Sequence, residues 1–266
     1  MNKFYILFFL VTLQAFSQEK NTPDFITDSI PSKYLAETRA ISISLPDNFS
    51  IDEKYPVIYI LDGEALFEPM AQQAAQLSAF SVIPHCIVVS IPNTNRQRDL
   101  SLNWETGHYT NGSLAFSRFI SNELIDYVES KYPVSGFSII VGHSNGASFI
   151  HNFFTSGNIF QGYVALSQSL SGQQEQQFAE ALRLPLDNKY YFVASGTRDS
   201  DERLESGLAM DSIYKRSLTG LKFSHEVYTA NHEGIFIRGL GPGLAFVFSD
   251  YYHLNYSDEL IDRLLE

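Results

Sequence analysis

The stretch that decides the fold is Phe137-Ser-Ile-Ile-Val-Gly142-His-Ser144-Asn-Gly146, where an apolar run leads into a serine between two glycines. The run Phe137–Val141 is typical of a strand buried on both faces, and a helical pattern follows it. Gly-x-Ser-x-Gly in this context indicates a nucleophile elbow, a tight turn that exposes the serine hydroxyl at the carboxyl end of a strand. We therefore predict that Ser144 is a nucleophile, and that a side chain at either flanking glycine would strike the neighbouring backbone.

The rest of the chain alternates strand and helix patterns. Apolar runs predict further buried strands at 56–61, 85–91, 163–166 and 190–194, and period-two alternation predicts strands at 39–45 and 222–228. Apolar residues at helical spacing predict helices over about 64–77, 114–131, 147–154, 173–184, 202–218 and 242–252. This alternation predicts an α/β fold, with a mostly parallel central sheet and helices on both faces.

Composition narrows the function classes. The 266 residues carry a net charge of −12, which argues against a nucleic-acid partner because phosphates call for a basic surface. The hydrophobic content of 44% is too high for a disordered chain, and the single cysteine, Cys86, has no partner within the chain. The oligomeric state stays open.

Both ends of the chain differ from its middle. Lys3, the apolar run Phe4–Leu13 and the small residues Ala15 and Ser17 form the pattern of a secretory signal peptide over residues 1–17. Residues 18–35 are predicted to be a poorly ordered lead-in, 36–256 the catalytic domain and 257–266 a short helix or the stub of one. No later stretch is apolar for 18 residues, so we expect an exported, periplasmic or extracellular protein without a membrane span.

Maturation is directly testable. We expect cleavage after Ser17, which leaves Gln18 as the new N-terminus. The intact mass of the exported protein checks this, and Met1 retained in secreted material would contradict it.

A serine nucleophile needs a histidine base and an orienting acid, which follow it along the chain in the order acid, then histidine. His232 lies in the loop predicted after the last strand. Three carboxylates, Asp199, Asp201 and Glu202, follow the strand before that one. We choose Asp199 because it is nearest to the strand end; Asp201 is expected to cap the next helix and Glu202 to lie in its first turn.

Acyl transfer also needs hydrogen-bond donors for the oxyanion. The backbone N–H of Asn145 is one candidate, and the second is expected from the loop after the 57–61 strand, at Gly63 or Glu64. In the polar stretch that follows the 85–91 strand, Arg98 or Arg96 could bind substrate, as could Trp104.

As a set, five stretches resemble the secreted serine esterases of the esterase D type, which include siderophore-ester hydrolases, acetyl and feruloyl esterases and mycolyltransferases. These stretches are Tyr55–Gly63, Asn95–Ser101, Gly142–Ala147, Leu166–Leu170 and Asn231–Gly234. The resemblance implies an α/β-hydrolase fold, a metal-free Ser–acid–His mechanism without a cofactor, and hydrolysis of carboxylic esters. Ala147 and Gln168 depart from it, standing where many members have Gly and Pro, and neither belongs to the triad.

Other functions are weighed against this one. His232-Glu-Gly lacks the second histidine of a zinc helix, so no metal is expected. A hydrolase-like binding protein without turnover, or an acyltransferase or peptidase using the same triad, remains open. The predicted substrate is a small ester, such as a sugar or siderophore ester.

Overall fold

The elbow strand lies near the centre of one eight-stranded sheet in the computed structural model, which describes residues 25–251. The spatial order is β1-β2-β4-β3-β5-β6-β7-β8. Strands β3 to β8 pair in parallel, whereas β1 with β2 and β2 with β4 pair antiparallel. In chain order the strands are β1 Phe25–Ser32, β2 Glu37–Ser44, β3 Tyr55–Leu61, β4 Ile87–Ile91, β5 Val134–His143, β6 Gly162–Leu166, β7 Tyr190–Gly196 and β8 Lys222–Tyr228.

Helices cover both faces of this sheet. They are α1 Gly63–Ala79, α2 Arg96–Leu100, α3 Asn111–Phe119, a π-helical turn Ile120–Leu124, α4 Ile125–Lys131, α5 Asn145–Ser156, α6 Gly172–Ala181, α7 Asp201–Lys215 and α8 His232–Val247. One core joins α3, α5, α6 and α7 to the sheet, and a second core joins α1 and α8 to the other face. Along β3, Tyr59 belongs to the first core and Ile58 to the second, which is why this strand is apolar throughout. The predicted α/β architecture is confirmed.

The expected lead-in is wrong where the structure describes it. Strand β1 pairs with β2 along its whole length, from Phe25 opposite Ser44 to Ser32 opposite Glu37, so the folded domain begins before residue 36. Within β1, only Ile30 and Ser32 are buried. The ladder supplies backbone hydrogen bonds, so this edge strand forms with few apolar side chains and composition alone does not reveal it.

The last described helix also differs from the prediction. Helix α8 begins at His232, ten residues before the predicted start at 242, and contains Pro242. A Cβ at Gly239 would lie 2.6 Å from the Cβ of Ala194, and one at Gly243 would lie 2.7 Å from Val164. The glycines at these positions therefore let the helix pack closely against the sheet.

Two of the predicted segments concern the ends of the chain. The predicted signal peptide 1–17 and the C-terminal segment 257–266 lie outside the described residues. Among the helices between residues 25 and 251, none is long and apolar enough to cross a membrane.

Candidate active site

The site is built at one edge of the sheet, because parallel strands present their carboxyl ends together. Four consecutive strands each contribute a side chain just after they end or a few residues beyond. Ser144 follows β5, Ser167 follows β6, Asp199 follows β7 and His232 follows β8.

Ser144 occupies the turn between β5 and α5 in a conformation that L residues rarely adopt, with φ 60° and ψ −126°. Its backbone N–H donates to the carbonyl of Leu166 at 2.9 Å, which holds the turn against the neighbouring strand. A backbone strained in this way costs about 1–3 kcal/mol and needs support from the surrounding structure. The half-exposed serine lies before Asn145, the first residue of α5.

The two elbow glycines have different surroundings. A Cβ at Gly142 would lie 2.5 Å from the carbonyl atoms of Gly146, so the predicted backbone clash is present there. A Cβ at Gly146 would instead meet the Oδ2 atom of Asp62 at 3.3 Å and the side chain of Leu61 at 3.6 Å. The predicted backbone clash is therefore wrong at Gly146, where an added Cβ would make one tight contact, with the side chain of Asp62.

The structure brings His232 and Asp199 together. The Nδ1 atom of His232 lies 3.0 Å from Oδ2 and 3.2 Å from Oδ1 of Asp199. The Asp199 side chain is 5% exposed and the His232 side chain 31%, so the acid is buried behind a reachable imidazole. This contact leaves Nε2 of His232 as the ring nitrogen able to exchange a proton with a substrate or with Ser144.

A further residue of this cluster, Ser167, was not found by sequence reasoning. Its hydroxyl donates to Oδ2 of Asp199 and lies 2.9 Å from Nδ1 of His232. Ser167 has φ 59°, and its N–H donates to the carbonyl of Ala194 at 2.8 Å. The only available signal was the Leu166–Leu170 stretch, which resembles the esterase family but assigns no role to Ser167.

These contacts set the charge of the acid. Burial raises the pKa of Asp199, but hydrogen bonds from Ser167 and His232 outweigh it and hold the pKa below the ordinary value. The carboxylate is therefore ionised at neutral pH. Because its pKa is lower in the folded state, the resulting stabilisation is present above the unfolded-state pKa and is lost as the pH falls through the folded-state value.

His143, the residue before Ser144, packs against His232. Its ring centroid lies 4.7 Å from that of His232, and its Nε2 atom lies 2.9 Å from the His232 carbonyl oxygen. Burial lowers the pKa of His143, which favours the neutral imidazole at neutral pH. The His143 side chain is therefore in contact with both the ring and the backbone of His232.

The other two acidic candidates lie on α7. Asp201 is the first residue of that helix, and Ser200 occupies the capping position without a side-chain capping bond, so the expected Asp201 cap is wrong. Glu202 is in the first turn as predicted, and its carboxylate accepts a hydrogen bond from Ser169. Of the three, Asp199 is the acid in contact with His232.

The predicted oxyanion donors lie at the starts of two helices that cover opposite faces of the sheet. The exposed Asn145 begins α5, and the buried Gly63 begins α1. A Cβ at Gly63 would lie 2.1 Å from Oγ of Ser90 and 2.8 Å from the Ile91 nitrogen, so packing against β4 requires this glycine. Asp62, which precedes Gly63 with φ 54°, is the residue that Gly146 approaches. The two helix N-termini therefore lie side by side.

The polar stretch after β4 contains two arginines with different surroundings. Arg96 binds Asp62 through two hydrogen bonds of 2.7 and 2.9 Å, beside the elbow. Arg98 instead pairs with Glu37 at 2.9 Å and with Asp99 at 2.7 Å. Trp104 is 54% exposed. The contacts of Arg98 are those of a structural ion pair, and a substrate role for Arg98 or Trp104 stays a prediction.

Arg203, in the first turn of α7, also contacts Ser144 and was not predicted as a site residue. One terminal nitrogen donates to the Ser167 carbonyl, and Nη2 lies 3.4 Å from Oγ of Ser144. Helix α7 mixes polar and apolar residues, and nothing in its sequence pattern marked Arg203 as a site residue. Between residues 25 and 251 no group of three or more His, Cys, Asp or Glu is placed to hold a metal ion.

A parallel sheet with a Gly-x-Ser-x-Gly turn after a central strand defines the α/β-hydrolase fold. Residues 32–210 match the family model described as Putative esterase. The chain therefore belongs to this esterase family and is a carboxylic ester hydrolase. The matched range includes Ser144, Ser167 and Asp199 and ends before His232.

The chain is similar to several known proteins. The IroE-like serine hydrolase of Shewanella oneidensis is 30% identical, with a TM-score of 0.77 over 86% of this chain and 81% of that one. Siderophore hydrolase EstB of Aspergillus nidulans is 22% identical, with a TM-score of 0.68 over 86% and 96%, and shares the fold. The uncharacterized protein YjcH of Bacillus subtilis is 25% identical over 68% of this chain and 75% of its own length.

Proposed function

We propose that the protein is an exported serine esterase that works through an acyl-enzyme on Ser144. The observation that carries this proposal is the contact of His232 with the buried Asp199, at the sheet edge where the half-exposed elbow serine lies. An acid in this position holds the imidazole in one tautomer and stabilises the imidazolium that forms during attack. The predicted leader over residues 1–17 supports export.

In the first half of the reaction, His232 removes the proton from Ser144 as its Oγ attacks the ester carbonyl. The backbone N–H of Asn145, with that of Gly63 or Glu64, stabilises the oxyanion. His232 then gives its proton to the departing alcohol, which leaves the acyl group on Ser144. In the second half, His232 activates a water that attacks the acyl-enzyme, and the acid product leaves.

The substrate class follows from the family and the leader. We propose an oxygen ester of a small acid, a sugar or a siderophore, because the solved relatives include a siderophore hydrolase and a ferulic acid esterase. We expect little peptidase activity, since the sequence offers no sign of a groove for an extended peptide.

A panel of aryl esters of increasing acyl length, together with peptide substrates and a fluorophosphonate probe, tests the proposal. We expect the probe to label Ser144 and the short acyl esters to be hydrolysed. Mass spectrometry of the labelled peptide identifies the serine. Cleavage of peptides without cleavage of any ester would contradict the substrate class, and hydrolysis without labelling of Ser144 would contradict the mechanism.

A further inference from the structure

Arg96 and Arg203 both lie beside the elbow, but they differ in whether a carboxylate neutralises the guanidinium. The guanidinium of Arg96 is neutralised by Asp62, with which it makes two hydrogen bonds. Within the described part of the chain, Arg203 has no carboxylate within 4.0 Å of its nitrogens. It is half-buried, so its positive charge is partly removed from water without a paired anion.

The nearby carboxylates are already occupied. Asp199 accepts from Ser167 and contacts His232, and Glu202 accepts from Ser169. Burial lowers the pKa of Arg203, and the charges of Asp199 and Glu202 raise it without reversing that effect. A guanidinium stays protonated in proteins, so Arg203 retains its charge beside the nucleophile.

An anionic oxygen can replace the Ser144 hydroxyl as the hydrogen-bond acceptor of Arg203. At 3.4 Å the contact between Arg203 and Ser144 is at the long end of the hydrogen-bond range, and its acceptor is a neutral hydroxyl. An anionic oxygen would be a stronger partner, because charge-assisted hydrogen bonds are shorter and about twice as strong. Of the five N–H groups of Arg203, the two in these contacts leave others able to bind a carboxylate.

We propose that Arg203 binds a carboxylate that the substrate carries close to its scissile ester, so that the enzyme prefers anionic esters to neutral esters of the same shape. This deepens, and rests on, the proposed function of Ser144. The acid can belong to the acyl group or to the alcohol, and both place it near Oγ. The net charge of −12 repels such a substrate, and the positive charge of Arg203 offsets that repulsion within the site.

Two pairs of isosteric esters test the proposal. Monoethyl succinate is compared with ethyl 4-methylpentanoate for an acid on the acyl side, and acetoxyacetate with isobutyl acetate for an acid on the alcohol side. Released acid is titrated to obtain kcat/KM. We expect the wild type to prefer the anionic member of one pair by about 10- to 100-fold, the range of a hydrogen bond to a charged group.

The variants assign this preference to one residue. Arg203→Gln should abolish it, so that the anionic and neutral members of the pair are hydrolysed with similar kcat/KM. Arg203→Lys should keep part of it, because lysine retains the charge without the planar fork. Arg216→Gln removes one positive charge just beyond the other end of α7, about 20 Å away, and should retain the whole preference. Melting curves show whether each variant is folded.

A second measurement does not depend on turnover. Succinate should slow fluorophosphonate labelling of Ser144 in the wild type and in Arg216→Gln, but not in Arg203→Gln. Neutral hydrolysis without any anionic preference, or no protection by succinate, overturns this inference and leaves the esterase mechanism intact. Equal losses on both members of a pair also overturn it, since Arg203 would then assist Ser144 itself. A wild type that neither reacts with the probe nor cleaves any ester overturns both proposals.

Discussion

We expect the Ser144→Ala variant to lose about 10⁶ in turnover of a short-chain aryl ester, leaving only what oxyanion stabilisation and binding provide. The alanine removes the atom that forms the acyl-enzyme, and no other hydroxyl lies at the elbow between β5 and α5. His232→Ala should lose a similar amount, and the double variant little more, because nucleophile and base act as a unit. Steady-state kinetics with purified protein measures all three.

The control for this series is Ser130→Ala, which removes an exposed serine from α4 and should leave turnover unchanged. Melting curves of Ser144→Ala and the wild type show whether the elbow tolerates the change. Near-normal activity of a folded Ser144→Ala protein would end the acyl-enzyme proposal.

The second large effect is expected at the acid. Asp199→Asn should reduce turnover by about 10⁴, because an amide can hold His232 in the wrong tautomer and cannot stabilise the imidazolium. The carboxylate is buried, ionised and in contact with Nδ1 of His232 at 3.0 Å, so the substitution acts directly on the base. The nucleophile itself stays in place.

Asp201→Asn is the matched control, since it removes the same charge two residues away at the start of α7. There a carboxylate interacts with the helix dipole, typically for 0.3–1 kcal/mol, so we expect a small change in the melting temperature and normal turnover. The opposite outcome, with Asp201→Asn inactive and Asp199→Asn normal, would move the acid by two residues. Loss of activity in both would point to the β7–α7 loop as a whole.

Much of the fold was predictable because burial acts on every residue of a central strand. The runs at 56–61, 163–166 and 190–194 each correspond to a strand of the described sheet, since strands covered on both faces must be apolar throughout. Edge strand β1 and the first ten residues of helix α8 escaped detection. Backbone pairing stabilises β1, and close approach to the sheet stabilises this part of α8. Neither interaction leaves a periodic pattern of side chains.

Part of the candidate site was likewise predictable from the sequence, and part was not. Ser144, Asp199 and His232 were predicted as the triad from the amino-acid order alone, because each follows a strand end and the chemistry restricts the residue type; the structure places Asp199 in contact with His232. The partnership of Ser167 with Asp199, the approach of Arg203 to Ser144 and the engagement of Arg98 by Glu37 emerged only from the folded chain. Local patterns record where strands end; side chains 32 to 61 residues apart meet only once the sheet brings those ends together.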